Sequence, residues 1–224
     1  EAEIPNHGDY KTTFIGDTPV IVIRDASGAV NVLQNRCAHR GALVCRNLRG
    51  NSQSLECIYH QWSYDLQGKL AGVPFRRGIQ GKGGMPADFN LKDHGLPRLR
   101  VEILCGLVFA TYSEKVESLR DYLGPMVCES IERIFNRPIE VLGDQRQHIH
   151  ANWKLYAENV RDPYHASLLH LFHTTFGLYR SSQAGGVRTD AANRHSMLYS
   201  IKGSNDDTRD KEVYKDIRTF NAGF

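Results

Sequence analysis

The chain has 224 residues, 41% of them hydrophobic and 24% charged, enough for one large domain or two modest ones with a real core. Its 28 lysines and arginines face 25 acidic residues, with no run of five like charges and no basic stripe interleaved with aromatics, so nucleic acid and membrane surfaces are not expected partners. No stretch approaches the roughly 18 apolar residues of a membrane span, and the opening EAEIPNHGDY has no signal-peptide pattern, so a reducing, cytoplasmic setting is the expectation. That opening also lacks an initiator methionine and runs at once into strand-like text, so sequence upstream of Glu1 is expected.

From Gly8 to about Ser113 the text is strand and turn. PVIVIRD and AVNVLQN predict a hairpin whose turn chemistry comes from DASG. IYHQWSYDLQGKLAG predicts a second around Leu66-Gln67-Gly68, and RLRVEILCGLVFATYS a third around Cys105-Gly106. Between them RRGIQGKGGMPADFN is Gly-rich and polar, hence a surface loop; the spacing of a phosphate-binding loop is absent. After Ser113 the character changes. SLRDYLGPMVCESIERIF has helical spacing of Leu119, Leu123, Val127, Ile131 and Ile134, interrupted at Gly124-Pro125, which places a domain boundary near residue 115. PIEVLGDQRQHIH reads as a strand or two, and NWKLYAENVRDPYHASLLHLFHTTF as two helical pieces, with Asp162 able to cap and Pro163 to open the second. The stretch from Gly203 to Lys211 reads as polar loop.

Five cysteines, Cys37, Cys45, Cys57, Cys105 and Cys128, are an odd number in a chain too long to need disulfide staples, so metal binding is the stronger expectation. Cys37-x-His39 is followed, 17 residues later, by Cys57-x-x-His60. Two such clips can hold a tetrahedral zinc ion or a [2Fe-2S] cluster with two thiolates on one iron and two imidazoles on the other. Common zinc modules keep their cysteine pairs together; here each clip offers one sulfur and one nitrogen, which favours the cluster. The bland alternative is a pair of buried cysteines beside incidental histidines. Cys45 lies outside the pattern and reads as structural.

Downstream, Asn159, Asp162, His165 and His170 form N-x-x-D-x-x-H-x-x-x-x-H. A step of three from Asp162 to His165 lies on one helix face, whereas the step of five to His170 turns the second ring away, so both can bind one metal only if the helix is distorted or the side chains swing together. Two imidazoles and one carboxylate make the facial arrangement of non-haem Fe(II) oxygenases, with positions open for oxygen and substrate. The alternative is that His165, His170 and His173 are polar residues on a helix whose Leu168, Leu169 and Leu171 pack inward.

The residues CAHRG and CIYHQW resemble a Rieske iron–sulfur domain, and with the downstream pattern the chain resembles the large (α) subunit of Rieske non-haem iron aromatic-ring hydroxylating oxygenases. The wording EIPNHGDYKTTFIGDTPVIVIRD and NWKLYAENVRDPYHASLLHLFHTTF looks most like the salicylate, anthranilate and terephthalate branch. The resemblance implies an α+β fold: an all-β Rieske domain over 1–115, then the start of an α/β, helix-grip-like catalytic domain over 116–224. It implies that Cys37, His39, Cys57 and His60 hold a [2Fe-2S] cluster and that His165 and His170 hold a mononuclear Fe(II). Asp162 would link a cluster histidine of one subunit to an iron histidine of its neighbour, and Asn159 would sit beside the iron. The implied partners are an aromatic acid and O2, a ferredoxin or reductase as electron donor, and further large subunits in a trimer, with or without a small β subunit. A Rieske-type electron carrier without oxygenase activity is the alternative. The family takes its third iron ligand, an aspartate, from far downstream. The carboxylates after His170 here are Asp190, Asp206, Asp207, Asp210, Glu212 and Asp216, most of them in a polar loop, so the chain is expected to be a portion of a longer polypeptide that alone binds the cluster but holds iron weakly.

Overall fold

The computed structural model describes residues 1–145, 147–170, 172, 173, 176, 178, 179, 182–204, 206 and 208–210. Two compact units emerge: residues 1–122 with 129–144, and residues 123–128 with 145–224.

The first unit is built on a six-stranded antiparallel sheet in the order β4-β1-β2-β3-β8-β9. Its strands are β1 (Asp9–Ile15), β2 (Thr18–Arg24), β3 (Val30–Gln34), β4 (Arg49–Asn51), β8 (Arg98–Leu104) and β9 (Leu107–Thr111). A smaller sheet holds β5 (Leu55–Glu56), β6 (Ser63–Tyr64) and β7 (Leu70–Gly72). Period-two alternation divides the apolar residues between the faces of the large sheet. Ile21, Ile23 and Leu33 join Tyr64, Leu55 and Trp62 in a core between the two sheets. Val20, Val32 and Leu99 pack on the other face with Val101 and Val108.

All three expected hairpins form, and their turns follow local chemistry. The first two are both Asp-x-x-Gly. Asp25 Oδ1 accepts from Ser27 N–H and Ala29 N–H, and Asp65 Oδ1 accepts from Gln67 N–H and Lys69 N–H, while Gly28 (φ 85°) and Gly68 (φ 83°) take the left-handed conformation that returns the chain. Cys105 (φ 50°) and Gly106 (φ 80°) close β8 onto β9 as a two-residue turn with both residues left-handed.

Asp25 also ties the two hairpins together. Only 5% exposed, it accepts on Oδ2 from Asn31 Nδ2 at 3.0 Å and from Gln67 Nε2 at 3.3 Å. These donors, the Ser27 hydroxyl foremost, hold its carboxyl well below the usual carboxylate range. Asp25→Asn, which turns one acceptor into a donor against this set, is expected to cost about 2–4 kcal/mol in urea unfolding at neutral pH. A depressed folded pKa means the contribution is complete above the unfolded carboxyl pKa of about 4 and is lost as pH falls from there toward the folded value. The difference between wild type and variant is therefore expected to shrink on acidification below about pH 4, and a difference that grew instead would reverse the assignment.

Helix α1 (Leu119–Ile134) starts at Ser118, whose Oγ accepts from Asp121 N–H at 3.2 Å. At Gly124 (φ 69°, ψ 168°), just before Pro125, the backbone leaves the helical region, at the interruption the sequence predicts. In the second unit, α2 (Trp153–Asn159) and the four-residue α3 (Ala166–Leu169) are the two expected helical pieces, and β10 (Gly185–Thr189) pairs with β11 (Ser196–Ser200) in a hairpin that the sequence reading missed. Two expectations change. No strand forms among the described residues of 138–150: Ile139 and Val141 lie beside Thr13, Val22 and Val108 of the large sheet without pairing to a strand, and Leu142 is 91% exposed. Pro163 does not open α3, because Asp162 Oδ1 accepts from Tyr164 N–H at 2.7 Å and forms a separate turn, leaving His165 at the helix start. No helix among the described residues is long and apolar enough to cross a membrane.

Candidate functional site

The first donor set lies in two loops closed in the same way. Cys37 N–H donates to the Ala42 carbonyl and Gly41 N–H returns to the Cys37 carbonyl, each at 2.8 Å. Cys57 N–H donates to the Trp62 carbonyl at 2.9 Å, and Gln61 N–H returns to Cys57 at 2.8 Å. The fourth residue after each cysteine is left-handed, Gly41 at φ 72° and Gln61 at φ 56°. Both sulfurs are buried in the core between the sheets, while the His39 and His60 rings meet edge to face with centroids 4.6 Å apart. Trp62 stacks on His39 at 4.9 Å, and Tyr59 lies against His60 at 3.8 Å.

The electrostatics suit a metal-bearing group. Burial, with His60 and Arg40 adding to it, lowers the His39 pKa, which keeps the imidazole in the neutral form that ligates. Its Nδ1 is buried without a hydrogen-bond partner. Burial foremost, and then the Cys37 thiol, push the Cys57 thiol up, so a thiolate there needs a cation beside it. Paired sulfurs and paired nitrogens suit a group with an iron at each end.

Tyr64 and Asn35 escaped the sequence reading. Tyr64 is fully buried; its hydroxyl accepts from Ala38 N–H at 3.1 Å and lies 3.2 Å from Cys37 Sγ, to which it can donate. Asn35 Oδ1 accepts from Val44 N–H and Cys45 N–H, both at 2.9 Å, while its Nδ2 donates to the Cys45 carbonyl at 2.7 Å, so Asn35 pins the return of the first loop. The Cys45 thiol itself is pushed up to about 11 by burial, as befits a structural cysteine. Neither signal is readable from spacing, because both residues act across the fold. A sulfur that accepts a hydrogen bond carries less negative charge, which favours the reduced cluster. Tyr64→Phe is therefore expected to keep the cluster but lower its reduction potential. A hydrogen bond about 1 kcal/mol stronger in the reduced state corresponds to roughly 40 mV for one electron. Protein-film voltammetry measures this directly, and an unshifted potential would remove Tyr64 from the account.

In the second unit His165 and His170 bracket α3 as its two end residues. His170 (φ −94°, ψ 77°) has left the helix, which resolves the awkward five-residue step: the break lets the ring centroids approach to 5.2 Å. Asp162 Oδ2 lies 3.2 Å from His165 Nδ1, close but not aligned for a hydrogen bond, so this buried nitrogen has an ionic neighbour and no aligned partner. The Tyr164 N–H foremost, and His165 after it, hold the Asp162 carboxyl below its usual range. With Nδ1 against the carboxylate, Nε2 is the nitrogen left for a metal. Asn159, Asp162 and His165 line a cavity of about 280 Å³ with Tyr179, Leu198, Tyr199 and Ser200.

The alternative of an inward-packed leucine helix fares poorly at Leu169, which is 75% exposed; Leu171 and the Leu168 side chain lie outside the described residues. Of the candidate third carboxylates, Asp190 Oδ1 holds the β10–β11 turn through Arg194 N–H and His195 N–H, and Asp206 Oδ1 accepts from Thr208 N–H and Arg209 N–H. Asp210 is buried and accepts from Ser182 N–H at 3.3 Å. None of these three joins His165 and His170 in a metal-sized group, and Asp207, Glu212 and Asp216 lie outside the described residues.

Comparison with known proteins finds a domain family for each part of the chain. Residues 1–82 match the Rieske [2Fe-2S] domain family, and residues 137–221 match the ring hydroxylating alpha subunit (catalytic domain) family. The chain is 54% identical, over its full length, to the anthranilate 1,2-dioxygenase large subunit of Burkholderia cepacia, covering 53% of that protein. It is 51% identical over 96% of its length to an alpha subunit of terephthalate 1,2-dioxygenase from Comamonas sp, again 53% of that protein. The salicylate 5-hydroxylase large component of Ralstonia sp is 46% identical over 98% of the chain, with 53% of that protein covered. The chain thus spans about half the length of the curated relatives it matches. Among solved structures, naphthalene 1,2-dioxygenase from Rhodococcus sp. superposes with a TM-score of 0.76 at 31% identity, over 90% of this chain and 47% of that one. The two domain families imply a [2Fe-2S] cluster and a mononuclear iron. With a β-rich unit that buries paired cysteines beside paired histidines, and a second unit that sets two more at the ends of a short helix, the chain belongs to the large-subunit family of Rieske non-haem iron ring-hydroxylating oxygenases.

Proposed function

We propose that the chain carries the redox centres of a terminal oxygenase that takes electrons from a reductase or ferredoxin and uses O2 to hydroxylate an aromatic acid. One observation carries the reading: the Cys37/His39/Cys57/His60 cradle and the Asp162/His165/His170 site occur together in a sequence 46–54% identical to large subunits whose names specify anthranilate, terephthalate and salicylate. The functional division lies at 115/116, a Rieske domain before it and the first part of the iron-bearing catalytic domain after it. It is supported by the end of β9, the last strand of the six-stranded sheet along the chain, at Thr111.

In this reading Cys37, His39, Cys57 and His60 hold the cluster, and His165 and His170 hold the iron. When bound, the cluster would supply one-electron transfer and the iron would supply oxygen activation. The chain's own residues do the rest. Trp62 fixes the plane of His39, and the Tyr64 hydroxyl can donate a hydrogen bond to the Cys37 sulfur. Asp162 sets its carboxylate against His165 Nδ1 and so favours one ring orientation by charge, while Asn159 lines the cavity beside it. Large subunits assemble as a trimer, with or without a small β subunit, in a cytoplasmic setting.

The test is the holoenzyme supplied with a ferredoxin, its reductase and anthranilate, salicylate or terephthalate. A red-brown protein whose reduced form gives a Rieske electron paramagnetic resonance signal, and which forms hydroxylated product, meets the expectation. A colourless zinc protein would end it, and a cluster without hydroxylation of any aromatic acid would leave only the electron carrier. Asp162→Asn is expected to leave both metals bound yet slow single-turnover oxidation of the reduced cluster by about 10- to 100-fold, because an amide is a weaker acceptor and carries no charge. An unchanged rate would reduce Asp162 to the residue that holds the Tyr164 turn.

A further inference from the structure

The stretch RRGIQGKGG contributes to neither donor set, and its backbone is tightly built. Met85 N–H donates to the Arg76 carbonyl at 2.9 Å to close the stem, and Ile79 and Lys82 exchange a pair of 3.0 Å bonds at the tip. Gly78 (φ 76°) and Gly84 (φ 100°) are left-handed, and a Cβ on Gly78 would meet the Lys82 carbonyl oxygen at 2.4 Å. A Cβ on Gly84 would meet the Gly78 nitrogen at 2.7 Å. The loop therefore folds back on itself so closely that only glycine fits, and its conformation is set before any partner arrives.

What this loop displays is uncompensated. Phe75 is 71% and Ile79 59% exposed, and Arg76, Arg77 and Lys82 are exposed beside them. No acidic residue occurs between Asp65 and Asp88, and none of the three cations is in an ion pair among the described residues. At the base, Val73, Met85 and Phe89 pack on the core that contains Cys37 and Cys57. Phe89 meets Trp62 at 5.9 Å, and Trp62 stacks on His39, so a run of ring contacts joins the base of the loop to the cradle.

We infer that this loop is the docking surface for an acidic electron-donor protein of the ferredoxin class. A small apolar centre rimmed by cations suits a brief, electrostatically steered encounter, and a preset loop keeps the ordering cost of docking low. The inference rests on the proposed function in needing a cluster to reduce. One electron leaves the donor's reduced iron–sulfur centre and one enters the cluster, with no bond made or broken and no proton moved.

The experiment uses the holoenzyme and, as probe, a strongly acidic plant-type [2Fe-2S] ferredoxin in its reduced form. Stopped-flow reduction of the cluster is followed at several ionic strengths, with photoreduced deazariboflavin as an uncharged comparison. Replacing Arg76, Arg77 and Lys82 together by glutamine is expected to slow reduction by ferredoxin about tenfold or more at low salt and to flatten its salt dependence, while reduction by deazaflavin is unchanged. In the wild type, carbodiimide is expected to cross-link Lys82 to a ferredoxin carboxylate, a readout that needs no variant. An unchanged rate and salt dependence overturn the inference, as does equal slowing with both reductants. So does a change in oligomeric state with ferredoxin reduction intact, which would make the loop a contact between copies of the chain. Failure of the proposed function is distinguished by a wild type that has no reducible cluster or hydroxylates no aromatic acid.

Discussion

Cys37→Ser is expected to erase the visible absorption of the [2Fe-2S] cluster and to leave the β unit far less stable. Cys37 and Cys57 sit inside the core between the sheets, packed with Leu55, Trp62 and Tyr64, so a cluster held by them would cross-link the centre of the unit and not its edge. In small metal domains the free energy of metal binding is folding free energy, which makes this loss larger than that of an ordinary buried side chain. A serine hydroxyl is a poor substitute for a thiolate toward iron, and it would lie buried beside the Tyr64 hydroxyl. Cys45→Ser is the matched control. Asn35 engages the Cys45 backbone carbonyl and N–H, not the thiol, so this variant is expected to keep the full spectrum. Visible absorption and urea midpoints of the two variants decide the matter, and a complete cluster spectrum in Cys37→Ser would remove Cys37 from the ligand set.

His165→Ala and His170→Ala are each expected to lose the mononuclear iron and to bring hydroxylation to background while the cluster spectrum stays intact. The two rings stand at the two ends of α3 at a centroid distance of 5.2 Å, so neither has a substitute in the same place. His173 is the nearest rival, its ring 5.6 Å from that of His170. If His173 only packs against His170, His173→Ala retains most of its iron. Iron analysis beside the visible spectrum separates the outcomes: loss of the cluster along with the iron would mean that the two sites are not independent, and full iron content without His165 or His170 would move the site elsewhere.

The Cys/His spacings and the Asp-x-x-Gly turns were legible in the sequence because each is local. A clip of four residues and a turn of four residues are governed by backbone conformations that Gly, Asp and their neighbours specify by themselves. The five-residue step from His165 to His170 likewise announced a broken helix, since no straight helix brings such residues together. Other features were not legible. The hairpin of β10 and β11 begins Gly-Gly and shows no strong alternation, so only cross-strand pairing reveals it. The segment 138–150 reads like strand because Ile139, Val141 and Ile149 suit one, but a strand needs a backbone partner, and its described residues pair with no strand.

By itself, then, the sequence determined which side chains can bind metal, where the chain turns and which family pattern they compose. Only the tertiary structure decided how those side chains are tuned. Tyr64 reaches Cys37 from 27 positions away, Asn35 grips the loop at Cys45, and Asp25 joins one hairpin to the next through Gln67 from 42 positions away. The pairing of β3 with β8, remote along the chain, was likewise settled there. Local conformation follows from neighbouring residues, whereas a hydrogen bond or a strand pairing across the core exists only once folding has placed both partners in one space.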